Sequence, residues 1–479
     1  MYMYKLRKKR WAGALGACLV VAGCKVPKII APPGAKPVPA TYSNSQDTTN
    51  MSAVQWREFF KDKDLVNLID TALKNNQELA ITLQEIEIAR NDIRSRQALL
   101  LPSVGVRAGA GLEKVGRYTS QGAGDASTEI TPGKEVPDPL ADFTIGAYAN
   151  WEVDIWNKLH NSKKAAVTRF LATVEGRNFV LTNLIGEIAN SYYELLALDN
   201  QLTIVRQNID LQKNALEIVK VQKEASRVTE LAVKKFEAEV LKSQSLEYDI
   251  LQRIRETENR VNFLLGRYPQ EIFRDKSNFL SIMPPMVSTG IPSQLLANRP
   301  DIKQAELELA AAKLDVKVAR AEFYPSLGIT AGVGFQAFKP SYLFRLPESL
   351  LYSAAADLAA PLINKNAIRA EFNSANARQL QALYNYERTI LNAFLEVSTQ
   401  LSNINNLKKS YELKSQQVDA LTRSIDISND LFKSARADYL EVLLTQRDAL
   451  ETKLELIETQ KEQLNAVVNI YRNLGGGWR

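Results

Sequence analysis

The chain holds few side chains fit for covalent or acid–base chemistry. It has one histidine, His160, and two cysteines, Cys18 and Cys24. One imidazole cannot build a His-rich metal site or an HExxH helix. No nucleophile motif accompanies it, so His160 reads as an ordinary polar residue at a strand-to-helix junction. Gly109-Ala110-Gly111 and Gly332-Val333-Gly334 lack the third glycine of a dinucleotide loop and sit in strand-like stretches, and there is no GxxxxGK[ST]. Carboxylates are plentiful, but they lie on helical stretches with basic neighbours, the pattern of solvated coiled-coil faces. Met51, Met283 and Met286 are the only methionines beyond residue 23, too few for a thioether relay for Cu(I). These residues predict no enzyme, no cofactor and no metal site.

The one candidate for modification chemistry is Cys24. Lys5, Arg7, Lys8, Lys9 and Arg10 precede an apolar run, Trp11 to Gly23, which is too short to span a bilayer and is built like a secretory signal. It ends in Val21-Ala22-Gly23-Cys24, small residues before a cysteine, the form of a lipobox whose cysteine is acylated and becomes the mature N-terminus. Leu15-Gly16-Ala17-Cys18 is a rival, but cutting there leaves an apolar region near the minimum of about 7 residues. With Cys24 acylated no thiol remains for a disulfide. Lys25 follows, not the Asp that would hold a bacterial lipoprotein in the inner membrane. Pro27, Pro32, Pro33, Pro37 and Pro39 then mark an extended tether. The reading is a signal over 1–23 and a lipidated tether over 24–54. The formal charge of +6 comes largely from the signal, since the rest holds 55 basic against 54 acidic side chains. Nothing global points to nucleic acid.

Proline and glycine place the elements. Proline is absent between Leu140 and Tyr268 and beyond Leu362, and glycine is absent from Leu362 to Leu474. Such stretches, rich in Ala, Leu, Glu, Lys and Gln, predict very long helices, one over 163–222 of about 90 Å and one over 364–433 of about 105 Å. Leu202, Val205, Ile209, Leu216 and Val219 follow 3/4 spacing, interrupted by Gln212, as in helix–helix packing. Shorter helices are predicted near 55–100, 230–265, 300–323 and 440–472. "LPSVGVRAGAGL" (101–112) recurs as "YPSLGITAGVGF" (324–335) at an offset of 223, and 11 of 37 positions aligned from Asn75 and Asn298 are identical. The chain reads as a tandem duplication, 55–280 and 281–479, each half with a helix, a strand pair, a long helix and a helix.

Both repeated strands are apolar on one face and small or polar on the other. "DFTIGAYANWEV" (142–153) partners the first across a loop of about 28 residues, and a less clean strand near Leu351–Pro361 partners the second. Strands of about ten residues with this alternation suit a membrane β-barrel. A soluble sandwich with one wet face is the alternative that the signal segment argues against. Four strands cannot close a barrel, and open edges in lipid would leave backbone groups unpaired, so the chain is expected to oligomerise into 8, 12 or 16 strands.

"WREFFKDKDLVNLIDTALKNNQEL" (56–79), "WEVDIWNKL" (151–159), "NFLLGRYP" (262–269), "GIPSQLLANRPDIKQAELELAAA" (290–312), "ADYLEVLLTQRDAL" (437–450) and "YRNLGGGW" (471–478) stand in order along nearly the whole mature chain. With the lipobox, this series resembles the TolC-like outer-membrane efflux proteins, specifically the lipoprotein branch called the NodT family. The resemblance implies a mainly α fold carrying a membrane β-barrel. Three chains would share 12 strands, four from each, continued by a long α-helical barrel across the periplasm. It implies an exit duct lipid-anchored in the outer membrane, served by a periplasmic adaptor (membrane fusion) protein and an inner-membrane transporter. Two helical tips would meet the adaptor, one at Ala225, Ser226 and Arg227, the other at Ala435, Arg436 and Ala437. Ala225 and Ala435 stand near positions where the family often has Gly. A periplasmic gate is implied after the second tip, with Glu441 at a familiar acidic position and Leu444 where the family often has Asp. The other reading of Glu441 is a solvated helix residue paired with a base such as Arg447. Rival functions are a duct for type I protein or peptide secretion and a structural coiled-coil lipoprotein that does not conduct.

Overall fold

The computed structural model describes residues 27–28, 34, 37–42, 49–276, 279–285, 287–361, 366–434 and 436–479. The signal segment, Cys24, Met286 and Ala435 lie outside the described residues. In chain order the principal elements are α1 (Lys63–Asn75), α2 (Gln77–Ala98), β1 (Ser103–Glu113), β2 (Leu140–Val153), α3 (Lys158–Glu224), α4 (Glu230–Leu264), α5 (Pro300–Ala321), β3 (Ser326–Ala337), β4 (Leu350–Ala359), α6 (Asn366–Lys433) and α7 (Tyr439–Asn473). Lengths agree between the two halves: 22 residues for α2 and α5, 67 for α3 and 68 for α6, 35 for both α4 and α7.

The first long helix extends its expected range by a few residues at each end and the second matches its expected end at 433 while starting at Asn366, because no proline interrupts 158–224 or 366–433. The segment expected as one helix over 55–100 is divided. Asp62 caps α1, its carboxylate accepting from the Asp64 and Leu65 amides. Asn76 leaves the helical region at ψ 128°. Its side-chain oxygen accepts from the Leu79 amide at 2.9 Å and its NH2 donates to the Leu264 carbonyl at 2.9 Å. One amide thus serves two helix ends, whose groups would otherwise be orphaned. The 28-residue loop also differs from expectation, for it holds a short helix, Ser120–Asp125, capped by Thr119, and a small hairpin, Glu129–Thr131 with Lys134–Glu135.

The chain divides into two compact units, and each draws on both sequence halves. One contains Glu87–Leu171 and Leu307–Tyr384; the other contains the described residues of 49–86, 172–306 and 385–479. In the first unit the four strands form one antiparallel sheet in the order β1-β2-β3-β4. The apolar faces are in register. Val106 lies opposite Ala147, Ala147 opposite Val333, and Val333 opposite Tyr352. Opposed residues share a face, so the series runs unbroken across all four strands. It resolves the fourth strand: Leu350, Tyr352, Ala354, Ala356 and Leu358 are its apolar set. On the other face Gly146 opposes Gly334, where a Cβ on Gly334 would lie 2.4 Å from the Ile145 carbonyl oxygen. The backbones approach too closely there for any side chain.

The second unit holds the main core. Tyr192, Ile188, Leu195, Ile69, Leu65, Leu265 and Ile470 are fully buried in one cluster. The end of each half locks onto its own beginning by the same device. Gly266 (φ +65°) would place a Cβ 2.3 Å from the Asn75 carbonyl oxygen, and Gly475 (φ +87°) would place one 2.5 Å from that of Asn298. Only glycine fits a left-handed residue pressed against a backbone. This accounts for Gly266 of "NFLLGRYP" and Gly475 of "NLGGGW".

Candidate functional site

The first helical tip is a tight turn between α3 and α4. The Arg227 amide donates to the Gln222 carbonyl at 2.9 Å, and the Ser226 amide to that of Lys223 at 2.8 Å. The left-handed residue is Ser226 (φ 59°), one position beyond Ala225. A 6→1 bond closing over a left-handed residue is a helix C-cap, here without the usual glycine. Lys223 Nζ lies 2.5 Å from Glu230 Oε2 across the turn, and that contact holds the Glu230 carboxyl below its ordinary pKa. At the second tip the Arg436 amide donates to the Leu431 carbonyl at 2.8 Å, the same 6→1 closure. Ala225, Ser226, Arg227 and Arg436 are exposed, and Ala437 is half-buried. Leu216, Val219, Val233, Phe236 and Val240 form an apolar cluster beneath, and Phe432, Tyr439 and Leu443 of the second hairpin pack against it. The two tips therefore share one core.

Glu441 occupies the first turn of α7. Its neighbour Val442 is buried, while Glu441 points to solvent. Arg447 bonds Asp448 at 3.0 Å. Among the described residues no base pairs with the Glu441 carboxylate, so the Arg447 pairing is not formed. An acid in the first turn also favours the positive end of the helix dipole. Leu444 is half-buried.

In the strand unit the apolar face is bare. Val104, Val106 and Leu112 are 72%, 80% and 71% exposed, Val333 is 56% and Tyr352 77%. A contiguous apolar surface of this kind marks a contact with lipid or protein. At the helix-proximal end Trp156 stacks on Tyr324 (centroids 4.6 Å apart), and its Nε1–H donates to the Pro325 carbonyl at 2.7 Å. Trp151 donates to the Leu100 carbonyl at 3.1 Å. Aromatic rings with one polar handle suit a membrane–water boundary. Asp154 caps the start of α3, accepting from the Leu159 and His160 amides and approaching the His160 ring at 2.5 Å. Burial opposes the charge, but these bonds outweigh it and lower the Asp154 pKa. His160 is thus part of a cap.

Two ionic clusters in the second unit, one buried throughout and one around a buried arginine, have no counterpart in the sequence reading. Arg274 bonds Asp199 at 2.5 and 3.1 Å and Glu258 at 2.8 Å, and the three side chains are 1%, 5% and 9% exposed. Burial works against the guanidinium charge; the two carboxylates outweigh it and raise the pKa. Arg299 forks onto Asp301 and reaches Glu396 at 2.7 Å and the Asn473 carbonyl at 2.9 Å. The adjoining Arg299-Pro300-Asp301 was a readable signal for the second cluster. For the first there was none, since Asp199 and Arg274 stand 75 positions apart.

Among the described residues no group of His, Cys, Asp and Glu could hold a metal ion, and no helix is long and apolar enough to cross a membrane. The profile described as "Outer membrane efflux protein" matches residues 68–267 and 291–476. The pyoverdine export outer membrane protein OpmQ of Pseudomonas aeruginosa is 30% identical over 467 residues, 97% of this chain and 96% of that one. The probable outer membrane lipoprotein SilC of Salmonella typhimurium is 27% identical, covering 97% of this chain and 98% of its own. The solved structure of CusC superposes with a TM-score of 0.81 at 25% identity, covering 95% of this chain and 100% of that one.

Proposed function

The chain belongs to the outer membrane efflux protein family, and from that premise we propose that three copies close one conduit through the outer membrane. The fold is TolC-like and the protein is an efflux component of the outer membrane. The observation that carries a closed oligomer is the sheet: four strands with one uninterrupted apolar face, and no strand partner for the outer edges of β1 and β4 among the described residues; a count of three fits the TolC-like fold. Lipid does not tolerate unpaired edges, so β4 of one copy pairs with β1 of the next, and 12 strands surround a lumen lined by the small and polar face. The two halves, 55–280 and 281–479, are copies of one unit that doubles the strands and helices each chain contributes. The helices carry the conduit onward, and the driving energy comes from an inner-membrane transporter reached through a periplasmic adaptor.

The tips at Ala225–Arg227 and Ala435–Ala437 meet that adaptor. Arg227 and Arg436 are exposed on them, and a shared apolar core lies beneath. Exchanging Arg227 and Arg436 for Glu is expected to reduce capture of the adaptor by about tenfold or more in a pull-down with the co-expressed adaptor, by reversing two charges at a rim. Unchanged capture would remove the tips from that interface. Cys24 is acylated, and the mature chain begins there. Mass spectrometry of the N-terminus is expected to show a lipid-modified Cys24; an unmodified one, or another start, refutes it.

Glu441 forms a ring of three carboxylates at the periplasmic gate. Like charges around one axis attract cations. Wild-type trimer in a planar bilayer is expected to conduct with cation preference and to be blocked by divalent cations. Glu441→Gln is expected to lose both properties while still conducting. Absence of any conductance in the wild type would overturn the duct and favour a structural role. An unchanged Glu441→Gln would move the constriction elsewhere and leave the duct standing.

A further inference from the structure

The loop that closes the second hairpin, residues 338–349, is built unlike an ordinary strand connection. It lies at the end of β3 and β4 away from α5 and α6, which in the duct reading is the outer rim. Phe344 packs on Phe335 with centroids 5.5 Å apart. Phe335 belongs to the apolar face of β3, so the lipid-facing surface continues into the loop. Phe344 and Leu346 are 68% and 65% exposed there. Beside them stand two cations on one ring: Arg345 Cζ is 4.6 Å from the Tyr342 centroid, and Lys339 Nζ is 5.9 Å from it and 5.6 Å from that of Phe338. Neither has an ion pair among the described residues. The loop of the first hairpin is more acidic, with Asp125, Glu129, Glu135 and Asp138 against Glu348 alone in the second, and its Lys114 lies 3.9 Å from Asp138.

We propose that this loop binds the phosphorylated glycolipid of the outer leaflet, with Lys339 and Arg345 on its phosphates and Phe335, Phe344 and Leu346 on its acyl chains. The inference rests on the outer-membrane reading of the sheet. Apolar side chains continuous with the membrane band, ending in unpaired cations, match a ligand that is acyl on one side and phosphate on the other. Contact of both cations with the Tyr342 ring restrains their side chains, which lowers the entropy lost when they meet phosphates. A zwitterionic headgroup supplies no net charge to two cations.

The test uses the purified full-length oligomer and native mass spectrometry with bisphosphorylated lipid A, its dephosphorylated form and phosphatidylglycerol. Lys339→Gln with Arg345→Gln is expected to weaken lipid A binding about thirtyfold, each cation near a lipid surface counting for about fivefold. Dephosphorylated lipid A is expected to bind the wild type as weakly as lipid A binds the variant. Lys114→Gln with Lys134→Gln is expected to change nothing. The proposal is overturned if the double variant retains its affinity, if removing the phosphates has no effect, or if the control pair weakens binding equally. It is also overturned if phosphatidylglycerol binds as tightly through the same cations, which would make the loop a reader of any anionic lipid. Fractionation of wild-type cells separates this from the parent reading. A chain missing from the outer membrane defeats the duct itself, whatever the lipid result.

Discussion

Arg274→Met is expected to destabilise the helical unit by about 3–5 kcal/mol. Removing the guanidinium leaves Asp199 and Glu258 as two buried carboxylates, 5% and 9% exposed, with only exposed cations near them, such as Arg255 at 3.7 Å from Glu258. Lys276 at 3.8 Å from Asp199 is more than half exposed and screens it weakly. Thermal loss of helical circular dichroism in the purified oligomer is the measurement. A second variant isolates the cause: Arg274→Met combined with Asp199→Leu and Glu258→Met removes all three charges. That triple variant is expected to regain most of the lost stability, because well-packed apolar residues can replace a buried ionic triad at little cost. Should the triple variant be as unstable as the single one, the loss comes from packing rather than from stranded charge.

Val333→Arg is expected to cost about 2–4 kcal/mol and to block insertion, whereas Thr330→Arg is expected to be tolerated. Val333 lies on the apolar face, opposite Ala147 and Tyr352, near the middle of β3. Thr330 lies on the other face, opposite Asn150 and Ala355. Leu327, Ile329 and Phe335 share the face of Val333, but their depths differ. Ile329 is opposite Trp151, near the aromatic boundary at the helix-proximal end, so Ile329→Arg is expected to cost only about 0–1 kcal/mol. The measurement is recovery of heat-resistant oligomer from the outer membrane for each variant. Failure of Thr330→Arg together with normal insertion of Val333→Arg would reverse the two faces.

Much of the architecture is legible in the unfolded chain. A strand's faces alternate with period 2 and a helix tolerates no interior proline, so both signals are local and survive without knowledge of any partner. That is why the strand read at 324–335 and the helix read at 364–433 lie within two residues of their observed bounds, 326–337 and 366–433. The same locality fixes the parity of the pairing, since a slip of one residue would invert a strand's apolar face, whereas slips of two keep it and are decided only by the folded sheet. Other features arise only when distant segments meet. Asn76 splits the first helix because its side chain finds the Leu264 carbonyl, 188 positions away. Arg447 chooses Asp448 over Glu441, and Ser226 rather than Ala225 takes the left-handed turn. Such choices depend on a few kcal/mol of competing geometry, which periodicity does not encode. The sequence by itself thus determined the kinds, lengths and faces of the elements, because these follow from the local rules of the backbone. The tertiary structure decided which charges are buried together, as with Arg274 and its two carboxylates, because such partnerships exist only after packing has excluded water around them.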